Sequence, residues 1–299
     1  MRQAIPDNLV KTQRRATAII AGLIIAPLAI WAASPEKVER TINTNGEPEV
    51  QVTNLRGQVV VQGWDKSQVH ALCIFSSPRI ELDAEALPKT GEAERVELTT
   101  HVVNPSAPAG NDTADCTIQV PTASNLDIRN RQGSVGVSGI QGQHARVETT
   151  DGKITATDVT SHFMGRSLGG DIEVIRPTGR VEAFSITGNL RFVDPASKSL
   201  RGNTNSGNIS YQGDFIAAGD YILSTYSGQI DVALPRAASF NLMAKSVKGK
   251  VDNTFTLTPN RHSKAPFPSS NTLFGSHSTG NARVELTSFS GQIRVREQR

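Results

Sequence analysis

Six carboxylates stand where chemistry on a polysaccharide could be sought: Asp151, Asp171, Glu173, Asp194, Asp214 and Asp231. Polysaccharide lyases and hydrolases use clustered carboxylates or basic residues on one outer face, and a hydrolase takes two carboxyl groups facing each other, one protonated and one ionised. Most of these six flank a glycine or a proline, where Asp is a common turn former. Glu173 and Asp231 share a phase, each third after the first residue of a repeated Gly phrase, but three repeats separate them. At the spacing of neighbouring strands that is roughly 14 Å, too far for a glycosidase pair. The six histidines, His70, His101, His144, His162, His262 and His277, show no ligand-like spacing, so no metal is expected. No P-loop or dinucleotide fingerprint occurs, and no cofactor is expected. A regular row of Ser, Thr and Asn could suggest nucleophiles, but no base shares its spacing.

What must position these residues is a repeat. The phrase Gly, polar, aliphatic begins at Gly133, Gly152, Gly170, Gly188, Gly207, Gly228, Gly249 and Gly291. The spacings are 19, 18, 18, 19, 21 and 21 residues, then 42, which is twice 21. Seven, five and three places before each glycine stand triplets such as Leu126/Ile128/Asn130, Val181/Ala183/Ser185 and Tyr221/Leu223/Thr225. The first member is apolar, the second apolar or Gly, the third Ser, Thr or Asn. Val50/Val52/Asn54 and Val284/Leu286/Ser288 repeat the pattern at the two ends.

Such a register predicts one strand before each glycine and one after it, with inward residues stacked on the next turn about 4.8 Å away. The glycine is expected at a tight corner needing positive φ. The hydroxyl or amide three places earlier is expected to hydrogen-bond that corner's backbone. No turn buries its faces alone, so the array folds by stacking. The fold class is therefore all-β: a right-handed parallel β-helix, or β-solenoid, preceded by a less regular N-terminal β region and an N-terminal hydrophobic helix.

The organisation follows: residues 1–34 a leader, 35–121 the N-terminal β region, 122–299 the solenoid repeats. In the N-terminal region, residues 79–94 read as a charged loop. Residues 253–283, with Pro259, Pro266 and Pro268, interrupt the array as an excursion in one enlarged turn. Arg283 to Val295 would then form the closing turn, and Arg296 to Arg299 a polar cap.

The leader carries Arg2, Lys11, Arg14 and Arg15 against Asp7, a balance of 4 − 1 = +3, so the rest of the chain is formally 3 − 3 = 0. The basic character belongs to the leader, which excludes a nucleic-acid-binding reading. The apolar run from Ala16 to Ala33 follows those cations, as in a secretory signal. Ala32-Ala33-Ser34 suits cleavage, whereas Pro35 beyond it opposes cleavage. Residues 1–34 are thus either a signal peptide or an N-terminal membrane anchor, which would meet the membrane through residues 16–33 if uncleaved. No Cys follows the run, which excludes a bacterial lipoprotein anchor.

Export places Cys73 and Cys116 in an oxidising compartment, where a structural bridge is expected. Cys73 shares strand phase with Val69 and Ala71, and Cys116 with Ile118 and Val120. Both thiols should point inward, which predicts a Cys73–Cys116 disulfide.

Gly57-x-Val59-x-Val61-x-Gly63-Trp64-Asp65, Val69-x-Ala71, Ile118-x-Val120-Pro121 and the Ser/Thr-x-x-Gly-x-Ile/Val phrases resemble the putative adhesin family of bacterial envelope proteins. The resemblance covers about residues 38–299. It implies an exported protein built from parallel β-strand coils, and it supplies no catalytic residues. The excursion at 253–283 is longer than that family's usual turn.

One feature points to a partner. Positions six, four and two before the glycines should face solvent, and they include Met164, Leu168, Phe184, Ile186, Ile222, Tyr226, Met243 and Val247. Stacked turns would align them as an apolar stripe, interrupted by Arg201, Asn203 and Asn205. Large exposed apolar patches mark contacts. The stripe is either covered by the excursion or the N-terminal region, or it is a partner site.

The favoured function is a non-catalytic exported cell-envelope protein, an adhesin or interaction scaffold, located in the periplasm or at the cell surface. Its expected partner is an envelope protein or a glycan. The alternative is a carbohydrate-active β-helix enzyme, a polysaccharide lyase or hydrolase.

Overall fold

The computed structural model describes residues 36–103, 112–259 and 270–298. The leader with its expected hydrophobic helix lies outside these residues, as does the middle of the excursion. Among the described residues every helix or strand assigned is a strand.

In chain order the strands are β1 (Glu36–Arg56), β2 (Val59–Trp64), β3 (Gln68–Phe75), β4 (Ile80–Leu87), β5 (Ala93–Val102) and β6 (Ala114–Pro121). The regular coils follow as β7 (Asn125–Gln132) and β8 (Val135–Ser138), β9 (His144–Asp151) and β10 (Ile154–Thr157), β11 (His162–Ser167) and β12 (Ile172–Ile175), β13 (Val181–Ser185) and β14 (Leu190–Val193). Next come β15 (Ser199–Thr204) and β16 (Ile209–Gln212), β17 (Asp220–Thr225) and β18 (Ile230–Leu234), β19 (Phe240–Ser246) and β20 (Val251–Asn253). The last are β21 (Thr272–His277), β22 (Ala282–Ser288) and β23 (Ile293–Glu297).

Each coil lays one strand before its glycine into a front sheet and one after it into a back sheet, and like strands of successive coils pair in parallel. The short remainder of the coil turns back past the inward residues Ile140, Val159 and Phe215. The inward triplets expected from the register are all buried. Gly165 and Gly202 sit inward where an aromatic ring takes the space: a Cβ on Gly202 would lie 2.9 Å from the Phe192 ring.

The glycines serve mainly for close approach rather than for positive φ. Only Gly57, Gly133 and Gly152 of the series have positive φ. A Cβ on Gly207 would lie 1.9 Å from the carbonyl oxygen of Gly188, and one on Gly228 would lie 1.8 Å from that of Gly207. Each glycine thus lets its own corner rest directly on the backbone of the neighbouring coil's glycine. The hydroxyl three places earlier ties the two corners together. Thr204 donates to the Gly188 carbonyl at 2.9 Å and accepts from the Gly207 amide at 3.2 Å, and Thr225 repeats this with Gly207 and Gly228. The corner's buried polar groups are thereby paired.

At both ends, spatial order departs from chain order. The coil β22–β23 lies between β17–β18 and β19–β20, pairing in parallel with both. The expectation that Arg283 to Val295 closes the stack is therefore corrected. The segment through β21 lets the chain reverse, since β21 runs antiparallel on the outer edge of β19. The chain then returns to fill the gap before the last regular coil. The other end mirrors this, with β1 and β2 between β5–β6 and β7–β8.

The expected charged loop at 79–94 is also corrected. Residues 80–87 form β4, antiparallel to β5. Ile80 and Leu82 point inward while Glu81, Asp83 and Glu85 face solvent, so the charge belongs to one face of an edge strand. Strand β1 starts earlier than the valine alternation suggested: residues 36–43 pair antiparallel with β3 before the chain bends into the front sheet.

Cys73 and Cys116 are opposed on the antiparallel pair β3–β6, 4.1 Å apart between Cα atoms, and joined by a disulfide. Both are buried, so the bond pins the end coil from inside.

Candidate functional site

The register that buries the triplets also fixes what the front sheet shows to solvent. The row nearest the glycine corner runs through Leu168, Ile186, Asn205, Tyr226, Phe289 and Val247, held by backbone hydrogen bonds between successive corners. Leu168, Ile186, Tyr226 and Val247 are exposed, Tyr226 to 55%. Phe184 and Met243, further from the corner, are exposed as well, while Met164 and Ile222 are half-buried. All eight residues of the expected stripe thus lie on one outer face. Strand β21 extends the sheet edge beside β19, with Phe274 opposite Met243.

Two further residues belong to this face. Phe289 enters because β22 is intercalated: its ring stacks on Tyr226 with centroids 4.7 Å apart and planes 4° from parallel. The Lys248 ammonium lies 5.0 Å above the Phe289 ring, a cation–π contact. Leu55 is exposed where β1 joins the sheet. Both stand two places before a glycine, at Gly291 and Gly57, so the offset that selected Leu168, Ile186, Tyr226 and Val247 also selects them.

Two depressions mark the face. One, of about 430 Å³, is bordered by Leu55, Leu168 and Phe184 with Arg129, Arg131 and Arg166. The other, of about 530 Å³, lies between Phe184 and Ile222 over Arg201 and Asn203. Phe184 and Arg166 border both. Around the first, Glu148 takes the Arg146 guanidinium at 2.6 Å and lies 3.9 Å from both Arg129 and Arg166.

The carboxylates lie elsewhere or are taken up. Glu173, on the back sheet, accepts from Lys153 at 2.6 Å and sits 3.4 Å from Arg191. Asp231 accepts from Arg296 at 2.9 Å. The order β12, β14, β16, β18 puts three coil steps between Glu173 and Asp231. Asp171 accepts from the Asn189 backbone amide, and Asp214 from that of Phe215. Asp194 has a positive φ at the corner that ends β14. At the same corner of neighbouring coils, Asp158 and Arg176 form a two-pronged ion pair at 2.7 and 2.8 Å. The Arg176 hydrogen bond holds the Asp158 carboxyl below its ordinary value. Among the described residues, no group of three His, Cys, Asp or Glu could hold a metal ion. No helix among them is long and apolar enough to cross a membrane.

Comparison with solved structures finds low similarity to two proteins. One is a putative cell adhesion protein from Clostridium sporogenes ATCC 15579, 12% identical, covering 89% of this chain and 100% of that one, with a TM-score of 0.33. Another is a putative adhesin from Bacteroides fragilis NCTC 9343, 10% identical, covering 88% of this chain and 97% of that one, with a TM-score of 0.46. No curated protein matches the sequence. The family model described as Toastrack DUF4097 matches residues 49–296, and the chain belongs to that family.

Proposed function

We propose that this protein is a non-catalytic, exported envelope adhesin or interaction scaffold, and that the outer face of the front sheet is its working surface. The observation that carries this reading is the row of exposed apolar side chains Leu168, Ile186, Tyr226 and Val247, in register across the coils and broken at Asn205. A rigid, repetitive sheet face offers an extended contact surface without any moving part, and apolar side chains concentrated on one face mark contacts. Export is supported by the basic and apolar pattern of residues 11–33 and by the buried disulfide. In this reading the protein works in the periplasm or at the cell surface, either released or held by residues 16–33. The coils wind right-handed, as parallel crossovers do.

A polysaccharide hydrolase would need two carboxyl groups facing one cleft, and a lyase a cluster of carboxylates or basic residues on one outer face. Glu148, Glu173, Glu182, Asp158 and Asp231 are instead each paired with a basic neighbour. The test is retention of envelope components by the immobilised full chain. Phe184→Asp and Met243→Asp, each checked for an unchanged melting profile, should lose at least about 1 kcal/mol of binding per truncated anchor. Equal retention by the wild type and both variants would remove the stripe as the working surface.

A further inference from the structure

The break in the apolar stripe is itself a shaped feature. On β15 the outward residues are Arg201 and Asn203, with Asn205 just past the strand, and all three are exposed. In the paired registers, Arg201 lies between Glu182 and Ile222, and Asn203 between Phe184 and Ser224. Backbone hydrogen bonds put Asn205 between Ile186 and the Tyr226–Ser227 corner. A polar floor one strand wide thus runs between two largely apolar walls, Glu182, Phe184 and Ile186 on one side, Ile222, Ser224 and Tyr226 on the other.

The dimensions restrict what can enter. The walls stand two strand spacings apart, roughly 10 Å between backbones. Less the half-thickness of the wall side chains, roughly 6 Å remains at ordinary contact distances. A helix, about 10–12 Å across, does not fit. A single saturated ring does.

The chemistry restricts it further. Asn203 donates its amide to the Ser224 hydroxyl at 2.6 Å, which orients the side chain and leaves its carbonyl oxygen to accept from a ligand. Among the described residues, no hydrogen bond or ion pair engages the Asn205 side-chain amide or the Arg201 guanidinium. The nearby Glu182 is occupied by Arg180 at 2.6 Å and His162 at 3.5 Å. The floor therefore presents one uncompensated cation beside amides. The walls present apolar and aromatic surface. Hydroxyls for the amides, C–H faces for the walls and one negative charge for the guanidinium are combined in a sugar acid, and Arg meets a carboxylate with a matched fork.

We propose that this trough binds a uronic acid unit of an acidic polysaccharide, with its carboxylate on Arg201, a hydroxyl on Asn203 and its ring between Phe184 and Ile222. Asn205 and Tyr226 continue the trough for the neighbouring sugar. The inference rests on the reading of the front face as the binding surface and narrows it to one ligand class.

The test is calorimetric titration of the full chain with short oligomers of galacturonic acid and of mannuronic acid, alongside their carboxyl-reduced neutral counterparts. The acidic oligomers should bind, with affinity falling as salt rises. The neutral ones should bind at least about tenfold more weakly, a difference of about 1.4 kcal/mol. Arg201→Gln should weaken the acidic oligomers by a similar factor, and Arg191→Gln, on the back sheet, should not. Absence of binding by either acidic oligomer, equal binding of the neutral ones, or full affinity in Arg201→Gln would each overturn the proposal. If Phe184→Asp and Met243→Asp still abolished envelope retention in that case, the front face would stand as a binding surface and only the sugar-acid assignment would fall.

Discussion

Ser246 donates its hydroxyl at 2.8 Å to the carbonyl of Gly291, a residue 45 positions further along the chain. The corresponding hydroxyls of Thr204 and Thr225 reach back to the glycine of the preceding coil in sequence. Ser246 reaches forward because β22–β23 has taken the place beside it, and Ser288 in turn donates to Gly228 at 3.1 Å. The corner ladder thus passes from Gly228 to Gly291 to Gly249 without a gap. The last coil of the chain is an interior coil of the stack.

Hydrogen exchange should reveal that placement. Backbone amides of Val284, Leu286 and Val295 are expected to be as protected as those of Ile209 and Leu223, despite their nearness to the C-terminus, because paired strands flank them on both sides. Amides of β21, an edge strand, should exchange earlier. Early exchange of β22 and β23 together, as in a fraying terminal coil, would contradict the intercalation.

A methyl group at a stacked corner should be far more damaging than one on an open strand. In Gly207→Ala the new Cβ would meet the Gly188 carbonyl oxygen at 1.9 Å, and the backbone around it is fixed by the ladder. A loss of about 2–3 kcal/mol is expected, the scale of overpacking. In Gly136→Ala the new Cβ finds only the Val60 side chain, at 3.9 Å. There, stability should stay level or rise by up to about 1 kcal/mol. Denaturant titration of the two variants provides the comparison.

The regular coils were legible because three signals coincide at each one: the glycine, the hydroxyl three places before it and the alternation of apolar residues. The order of the coils in space was not. The inward triplets Val284/Leu286/Ser288 and Leu242/Ala244/Ser246 have the same pattern, so either could stack on Tyr221/Leu223/Thr225. Only the path of the chain through β21 decides between them. Strand β4 was hidden by its charge, although Ile80 and Leu82 alternate with Glu81 and Asp83. The stripe was legible through the offset from glycine. Its trough was legible only as an interruption, since its shape depends on which strands flank Arg201 and Asn203.

The disulfide should stabilise one end of the stack. It closes a sequence separation of 43 residues between directly opposed positions on β3 and β6. Reduction, or Cys73→Ala with Cys116→Ala, should cost about 2–4 kcal/mol. The loss should appear as faster exchange in β3 and β6, with the coils from β11 to β18 unchanged. Unaltered unfolding in reductant would show that the pairing of β3 with β6 needs no covalent support.

Hydroxyl-radical footprinting of the chain in intact envelopes and in purified form tests most directly whether the front sheet carries the contact. Tyr226, Phe289, Phe184 and Met243 report on that face, and Trp64 and His70, near the far end of the back sheet, serve as references. The account predicts that oxidation of the first four falls severalfold in the envelope while the references change little. Equal oxidation of the front-face residues in both preparations, or protection confined to the references, would contradict it.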